Sequence, residues 1–256
     1  MATEKGTVLE QLVSMSRSLG DPSKDYVVLA EGNTSAKIDP ERFYVKASGV
    51  ALATITEAEF IEMSLPRVLK MLETDSLSDK AIREHLMAAR VEQREGTRPS
   101  VETTFHASLL SFEGVNFVGH THPAAVNAIL CSKQGKEIVR GRIFPDEVVY
   151  TGREPLWIDY ADPGLALAKS ILRGVRDYLD RHGSLPKVVL LQNHGLVALG
   201  SNPQEVEYAT AMWVKTARIL MGTQAFGGPN YLSEEQVKRL DARDDIEYRR
   251  QVVFGR

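Results

Sequence analysis

Six histidines occur in this 256-residue chain, His85, His106, His120, His122, His182 and His194, and two segments give them spacing that could do chemistry. In Gly119-His120-Thr121-His122-Pro123 the imidazoles are two residues apart. On a strand, where side chains repeat every second residue, both face one side and can chelate one ion while Thr121 faces the other. An isolated His-x-His pair is as readily a hydrogen-bonded strand pair, so a third donor matters. Asn193-His194-Gly195 lies between two apolar runs, and a turn with φ > 0 available at Gly195 would present His194 at a strand end. Three imidazoles leave the fourth position of a tetrahedral zinc open, as in catalytic sites. Such an ion polarises a carbonyl and stabilises an enediolate. Cys131 is the sole cysteine, which excludes a thiolate-rich metal site and an internal disulfide.

Carbon–carbon chemistry beside a carbonyl also needs a proton carrier, and Glu102 is the best candidate. It sits in Arg98-Pro99-Ser100-Val101-Glu102, where the chain enters a helix. There its carboxylate is expected to face the positive helix end, which favours the ionised form a general base requires. His106, four residues on, shares that helix face and is read as a structural partner, with a ligand role as the alternative. Two turns, Glu31-Gly32-Asn33-Thr34-Ser35 and Lys46-Ala47-Ser48-Gly49, have the composition of anion cradles: glycine lets backbone N–H groups converge, and Asn, Ser and Lys add donors.

Elements must position these residues. Val8–Ser18 has helical apolar spacing, closed by Gly20 and Pro22. Tyr26–Ala30, Ser35–Ile38 and Phe43–Lys46 read as strands separated by turn residues. Thr56–Leu72 reads as a helix opened by a Thr56/Glu59 capping box. A helix after Pro99-Ser100 and a strand over Val115–His120 follow. Pro163–Arg181 carries a continuous apolar stripe ended by Gly183. Lys187–Leu191 and Leu196–Leu199 are strands, and Gln204–Met221 and Ser233–Arg243 are helices. Strands that do not alternate strictly with helices point to an α/β chain with a mixed or antiparallel sheet covered by helices. Asp241–Arg256 is read as a frayed terminus, with a tail covering an adjacent site as the alternative.

Composition sets outer limits. Hydrophobic residues make up 43% and charged residues 25%, as in ordinary globular proteins. The net charge of −3 supplies no basic field for nucleic acid. The first twenty residues lack a secretory pattern and no apolar run approaches a membrane span, so no nucleic-acid or membrane partner and a cytoplasmic location are expected. With no repeat and no linker, one domain over 1–256 is the simplest division.

Taken in order, Gly-Asn-Thr-Ser (32–35), Lys-Ala-Ser-Gly (46–49), Pro-Ser-Val-Glu (99–102), His-Thr-His-Pro (120–123) and Asn-His-Gly-Leu (193–196) resemble the class II aldolase/adducin family, over roughly residues 7 to 221. The resemblance implies a three-layer α/β/α fold with a largely antiparallel central sheet, assembled as a homotetramer with sites between subunits. It puts His120, His122 and His194 on the zinc ligands, with Mn²⁺ or Co²⁺ as alternatives, and Glu102 on the catalytic acid/base. Asn33, Ser48, Gly49 and Ser100, with Gly32 in the same turn, fall on positions that bind substrate phosphate. Two residues depart from that pattern. Val101 replaces a serine, and Glu31 sets a carboxylate beside the Gly-Asn turn, where it would repel a dianion unless Lys37 or Lys46 offsets it. The implied activity is a zinc-dependent aldehyde-lyase acting on a small carbohydrate, a sugar or sugar phosphate, by retro-aldol or aldol chemistry. A 4-epimerase, decarboxylase or dehydratase at the same site, or a non-catalytic adducin-like module, are the alternatives.

Overall fold

A computed structural model describes residues 2–243. Helix α1 (Ala2–Leu19) is followed by hairpin strands β1 (Asn33–Asp39) and β2 (Arg42–Lys46), then β3 (Phe60–Ser64), α2 (Leu65–Met71) and α3 (Asp79–Ala88). Next come α4 (Thr103–Leu110), β4 (Phe117–Thr121), α5 (Ala124–Leu130), the short α6 (Gly135–Ile138) and α7 (Pro145–Thr151). The chain continues through β5 (Leu156–Ile158), α8 (Leu165–His182), β6 (Val188–Leu191), β7 (Gly195–Gly200), α9 (Pro203–Thr223) and α10 (Glu234–Asp241). No described helix is long and apolar enough to cross a membrane.

The strands form one seven-stranded sheet in the order β3-β2-β1-β4-β7-β6-β5. Every neighbouring pair is antiparallel except β5 with β6, which the α8 crossover makes parallel. Both faces are covered, and the strands show it residue by residue. Along β6 and β7, Val189, Leu191, Val197 and Leu199 pack into the core shared with α2, α3, α4 and α8. Val188, Leu190, Leu196 and Ala198 pack into the core shared with α1, α5 and α9. Consecutive apolar residues thus serve opposite layers, as a doubly covered sheet requires. The α/β/α layering and the largely antiparallel sheet agree with the sequence reading.

Two local expectations are corrected. Thr56 and Glu59 do form a capping box, but on a single 3₁₀ turn, and the residues after it leave as β3 and not as a helix. The open edge of β2 decides this: Ile61 pairs with Val45 and Met63 with Phe43, while Phe60 and Ile61 enter opposite cores. The helical part of that run is only Leu65–Met71. Tyr26–Ala30 forms no strand, because it crosses strand ends with no ladder beside it and turns at Leu29, whose φ is 57°. The C-terminal segment falls largely outside the described residues.

Candidate metal and proton-transfer site

Three adjacent central strands carry the site, with α4 laid over them. Asn33 on β1 lies directly opposite His120 on β4, and His120 lies opposite Val197 on β7. Asn33, Ser35 and His120 share the face turned toward α4, while Thr34 faces α1, where its hydroxyl meets that of Ser16 at 2.6 Å. Thr121 likewise points away from the histidines.

His120 and His122 project on one side, and their Nε2 atoms are 2.9 Å apart. His194 Nε2 is 3.3 Å from His120 Nε2. The turn that delivers His194 works otherwise than expected: the left-handed residue is Asn193, with φ of 54°, and not Gly195. Gly195 opens β7 and is needed for space, since a β-carbon there would stand 2.5 Å from His122 Cδ2 and 2.6 Å from the Thr121 carbonyl. The Asn127 side-chain amide donates to the His194 carbonyl at 3.0 Å and holds the turn down.

The hydrogen bonds fix two of the rings. Carbonyl and carboxylate oxygens only accept, so His120 Nδ1–H donates to Leu196 O at 3.0 Å and His122 Nδ1–H donates to Glu31 Oε2 at 2.8 Å. In the neutral tautomer so defined each Nε2 keeps a lone pair, and the two lone pairs converge. Burial holds His120 well below the usual histidine pKa, against the opposing pull of Glu102, so the ring is neutral, the form that ligates. Tetrahedral ligation at 2.0–2.1 Å places nitrogens about 3.3 Å apart, close to the two distances above, and all three ligand atoms lie within 4.8 Å of one another. The donor set therefore fits a divalent metal, and His120, His122 and His194 could hold one.

Glu102 occupies the N-cap position of α4 but makes no side-chain cap bond, so its carboxylate is not held by the helix end as the sequence suggested. It reaches the histidines instead: Oε1 is 3.0 Å from His194 Nε2 and 3.7 Å from His120 Nε2. Oε2 accepts from Asn33 Nδ2 at 2.6 Å. Burial alone would raise this carboxyl, but His120, His194 and Asn33 together hold it well below the usual carboxylate range. Behind Asn33 stands a chain that sequence reasoning left unassembled. The Ser35 hydroxyl donates to His106 Nδ1 at 2.7 Å, His106 Nε2–H donates to Asn33 Oδ1, and the amide passes on to Glu102. The spacing of Glu102 and His106, four apart, was the available signal. Burial pushes His106 down to about 3.

The remaining positions divide. Ser48 and Ser100 line a cavity of about 860 Å³, together with Val101, Lys80, Arg83 and Arg98. Neither arginine is ion-paired to a described residue. Gly49, with φ of 82° and nothing within 4 Å of a β-carbon, forms an open turn beside it. Gly32, with φ of 69°, sits where a β-carbon would meet the His120 carbonyl at 2.7 Å. Of the two lysines, Lys37 donates to Phe112 O, whereas Lys46 donates to Ala30 O and Val50 O. Burial lowers Lys46 to about 8, with Glu102 opposing.

Residues 10–221 match the Class II Aldolase and Adducin N-terminal domain family, and the chain belongs to that family. Among relatives, it is 29% identical over 247 residues, 91% of its own length, to the uncharacterized oxidoreductase YuxG of Bacillus subtilis (strain 168). The chain spans about a third of that relative, 33%. Among solved structures, the N-terminal class II aldolase domain of a conserved Thermoplasma acidophilum protein superposes with a TM-score of 0.67 at 24% identity, over 83% of this chain and 93% of that one. An L-fuculose 1-phosphate aldolase gives 0.66 at 18% identity, over 92% and 94%. At these identities the two structures speak to fold alone.

Proposed function

We propose that the protein is a metal-dependent lyase that breaks or makes a carbon–carbon bond of a sugar or sugar phosphate by retro-aldol or aldol chemistry. The observation that carries this reading is the meeting of three imidazole Nε2 atoms with one face of the Glu102 carboxylate, Oε1 lying 3.0 Å from the nearest of them. His120, His122 and His194 hold the metal, taken as Zn²⁺. Bound there, the ion supplies Lewis-acid polarisation of a carbonyl.

The chain's own residues do the rest. Asn33 occupies Glu102 Oε2, and Oε1, which faces the histidines, is the oxygen assigned to take a proton from carbon beside the carbonyl and later return it. Its ionised state suits a base. The substrate's anionic end is assigned to the neighbouring cavity, where Ser48 and Ser100 donate hydrogen bonds and Arg83 and Arg98 supply positive charge; Gly32 and Gly49 shape the flanking turns. With Glu84 on the same wall paired to Lys80, the two arginines remain as the positive charge that supports an anionic group on the substrate. The family's description, which names class II aldolases, favours the same chemistry.

Product analysis tests the reading. Metal-replete protein is incubated with ketose phosphates and free ketoses, and products are resolved by mass spectrometry and NMR. Two carbonyl fragments are expected. Glu102→Gln should keep its metal and lose about 10²–10⁴-fold in rate; His122→Ala should lose both. An inverted ketose, released carbon dioxide or loss of water would reassign the chemistry to an epimerase, decarboxylase or dehydratase. Absence of metal in the purified protein would point to the non-catalytic reading.

A further inference from the structure

We infer that Glu31 is a positioning residue for metal binding: its carboxylate fixes the tautomer and orientation of His122, keeping the Nε2 lone pair aimed at the point where the other two imidazoles converge. The inference rests on the metal centre proposed above. It assigns a use to the residue that, from sequence, looked only like an obstacle to an anionic substrate.

Both carboxylate oxygens are engaged, each by a different N–H. Oε2 accepts from His122 Nδ1 at 2.8 Å, and Oε1 accepts from the Val28 backbone N–H at 2.5 Å. The same turn closes from the other side, where Glu31 N–H donates to Val28 O at 3.3 Å. Leu29 within it takes a left-handed conformation, and Gly32 after it another, with φ of 57° and 69°. The turn is anchored to the ligand's own backbone as well, because His122 N–H donates to Tyr26 O at 2.9 Å. Two independent ties therefore hold the carboxylate against His122, one through the backbone and one through the ring.

The chemistry follows from what each atom can do. Of the two neutral tautomers a carboxylate beside Nδ1 admits only Nδ1–H, which leaves Nε2 as a bare donor to metal. It also raises the basicity of that nitrogen. His120 receives the same service from a main-chain carbonyl, Leu196 O, which no side-chain substitution removes. Glu31 is thus the point at which a single mutation can unlock a ligand without deleting it.

The amide variant separates this role from a merely structural one. In Glu31→Gln the shape is kept, but the side chain offers one oxygen where two N–H groups call for acceptors. If the oxygen serves Val28, the NH₂ faces His122 Nδ1 and favours the Nε2–H tautomer, which blocks the ligand atom. If the oxygen serves His122, the NH₂ opposes the Val28 N–H. A residue that only holds the turn by shape would tolerate the change.

The test is Zn²⁺ affinity by competition with a chromophoric chelator, using the whole chain as wild type, Glu31→Ala, Glu31→Gln and His122→Ala, alongside nitrogen-15 NMR of the imidazoles in metal-free protein. Glu31→Ala is expected to bind Zn²⁺ about 10–100-fold more weakly, and Glu31→Gln at least as weakly as Glu31→Ala. Wild-type His122 is expected as the Nδ1–H tautomer. Affinities of both Glu31 variants within twofold of wild type would overturn the inference, as would a wild-type His122 protonated at Nε2. The NMR arm needs no variant to fold. No Zn²⁺ binding by the wild type, or wild-type affinity in His122→Ala, removes the metal centre itself and the inference with it; normal binding in both Glu31 variants removes the inference alone.

Discussion

A β-carbon on Gly195 would lie 2.5 Å from His122 Cδ2 and 3.1 Å from His120 Cε1, so Gly195→Ala has to displace a ring or the strand. Overpacking of this kind costs about 1–3 kcal/mol. Urea denaturation of metal-free protein should show that loss, and chelator competition a weaker hold on Zn²⁺. From sequence this glycine was read for its backbone freedom. The freedom is used by Asn193, while Gly195 serves by lacking an atom, a requirement visible only once β4 and β7 are side by side. The three histidines and Glu102 could be picked out because their types and order carry the signal. His106 shows what could not be. Its partners Ser35 and Asn33 are 71 and 73 residues away, and a hydrogen-bond chain of that span leaves no local pattern. Its burial has a pH consequence. The unfolded chain takes up a proton on this ring near 6.5, whereas the folded protein does so only near 3. Between those values the unfolded state binds more protons, so stability should fall as pH drops from about 6.5 toward 3. Denaturation midpoints of metal-free protein across that range should show a shallower decline in His106→Gln.

At the scale of elements, α4 and β4 act as a pair through Phe105. Its ring is fully buried, stacks on His106 at 4.6 Å and meets His120 edge-on at 5.4 Å. Phe105→Ala should cost about 3–5 kcal/mol, read from chemical denaturation, and should lower metal affinity because His120 loses the wall that keeps its ring upright. Elements with one unbroken period were legible: the stripe of α8, ended by Gly183 with φ of 67°, and α9, capped by Asn202 accepting from Glu205 N. The run from Phe60 onward was not. Its apolar residues satisfy both the helical and the strand period, and the choice was made by the unpaired edge of β2, a partner outside the window. Ser78 did leave a cap signature for α3, accepting from Ala81 N, whereas α5, α6, α7 and the three-residue β5 offer too little length for periodicity to stand out.

For the molecule as a whole, the site belongs to the middle of the sheet. β4 carries His120 and leads into His122, and His194 stands just before β7, so a metal held by the three would tie together segments far apart in the chain. Binding only the folded state, Zn²⁺ at 100 times its Kd should add about 2.7 kcal/mol of stability. Thermal unfolding should move to higher temperature with Zn²⁺, return with chelator, and stay unmoved in His122→Ala. The stretch between β3 and Pro99 has a different relation to the sheet. α2 and α3 bury Val68, Met71, Ile82 and Leu86 against the core of α4, and Lys80, Arg83 and Arg98 line the cavity beside Ser100, yet this stretch supplies no atom to the hydrogen bonds running from Ser35 to Glu102. On the proposed function, recognition and reaction are physically separate parts. An engineer could therefore rewrite the outward residues of α3, keeping those four apolar anchors, to re-aim the protein at a ligand of different charge while leaving its proton-transfer apparatus as inherited.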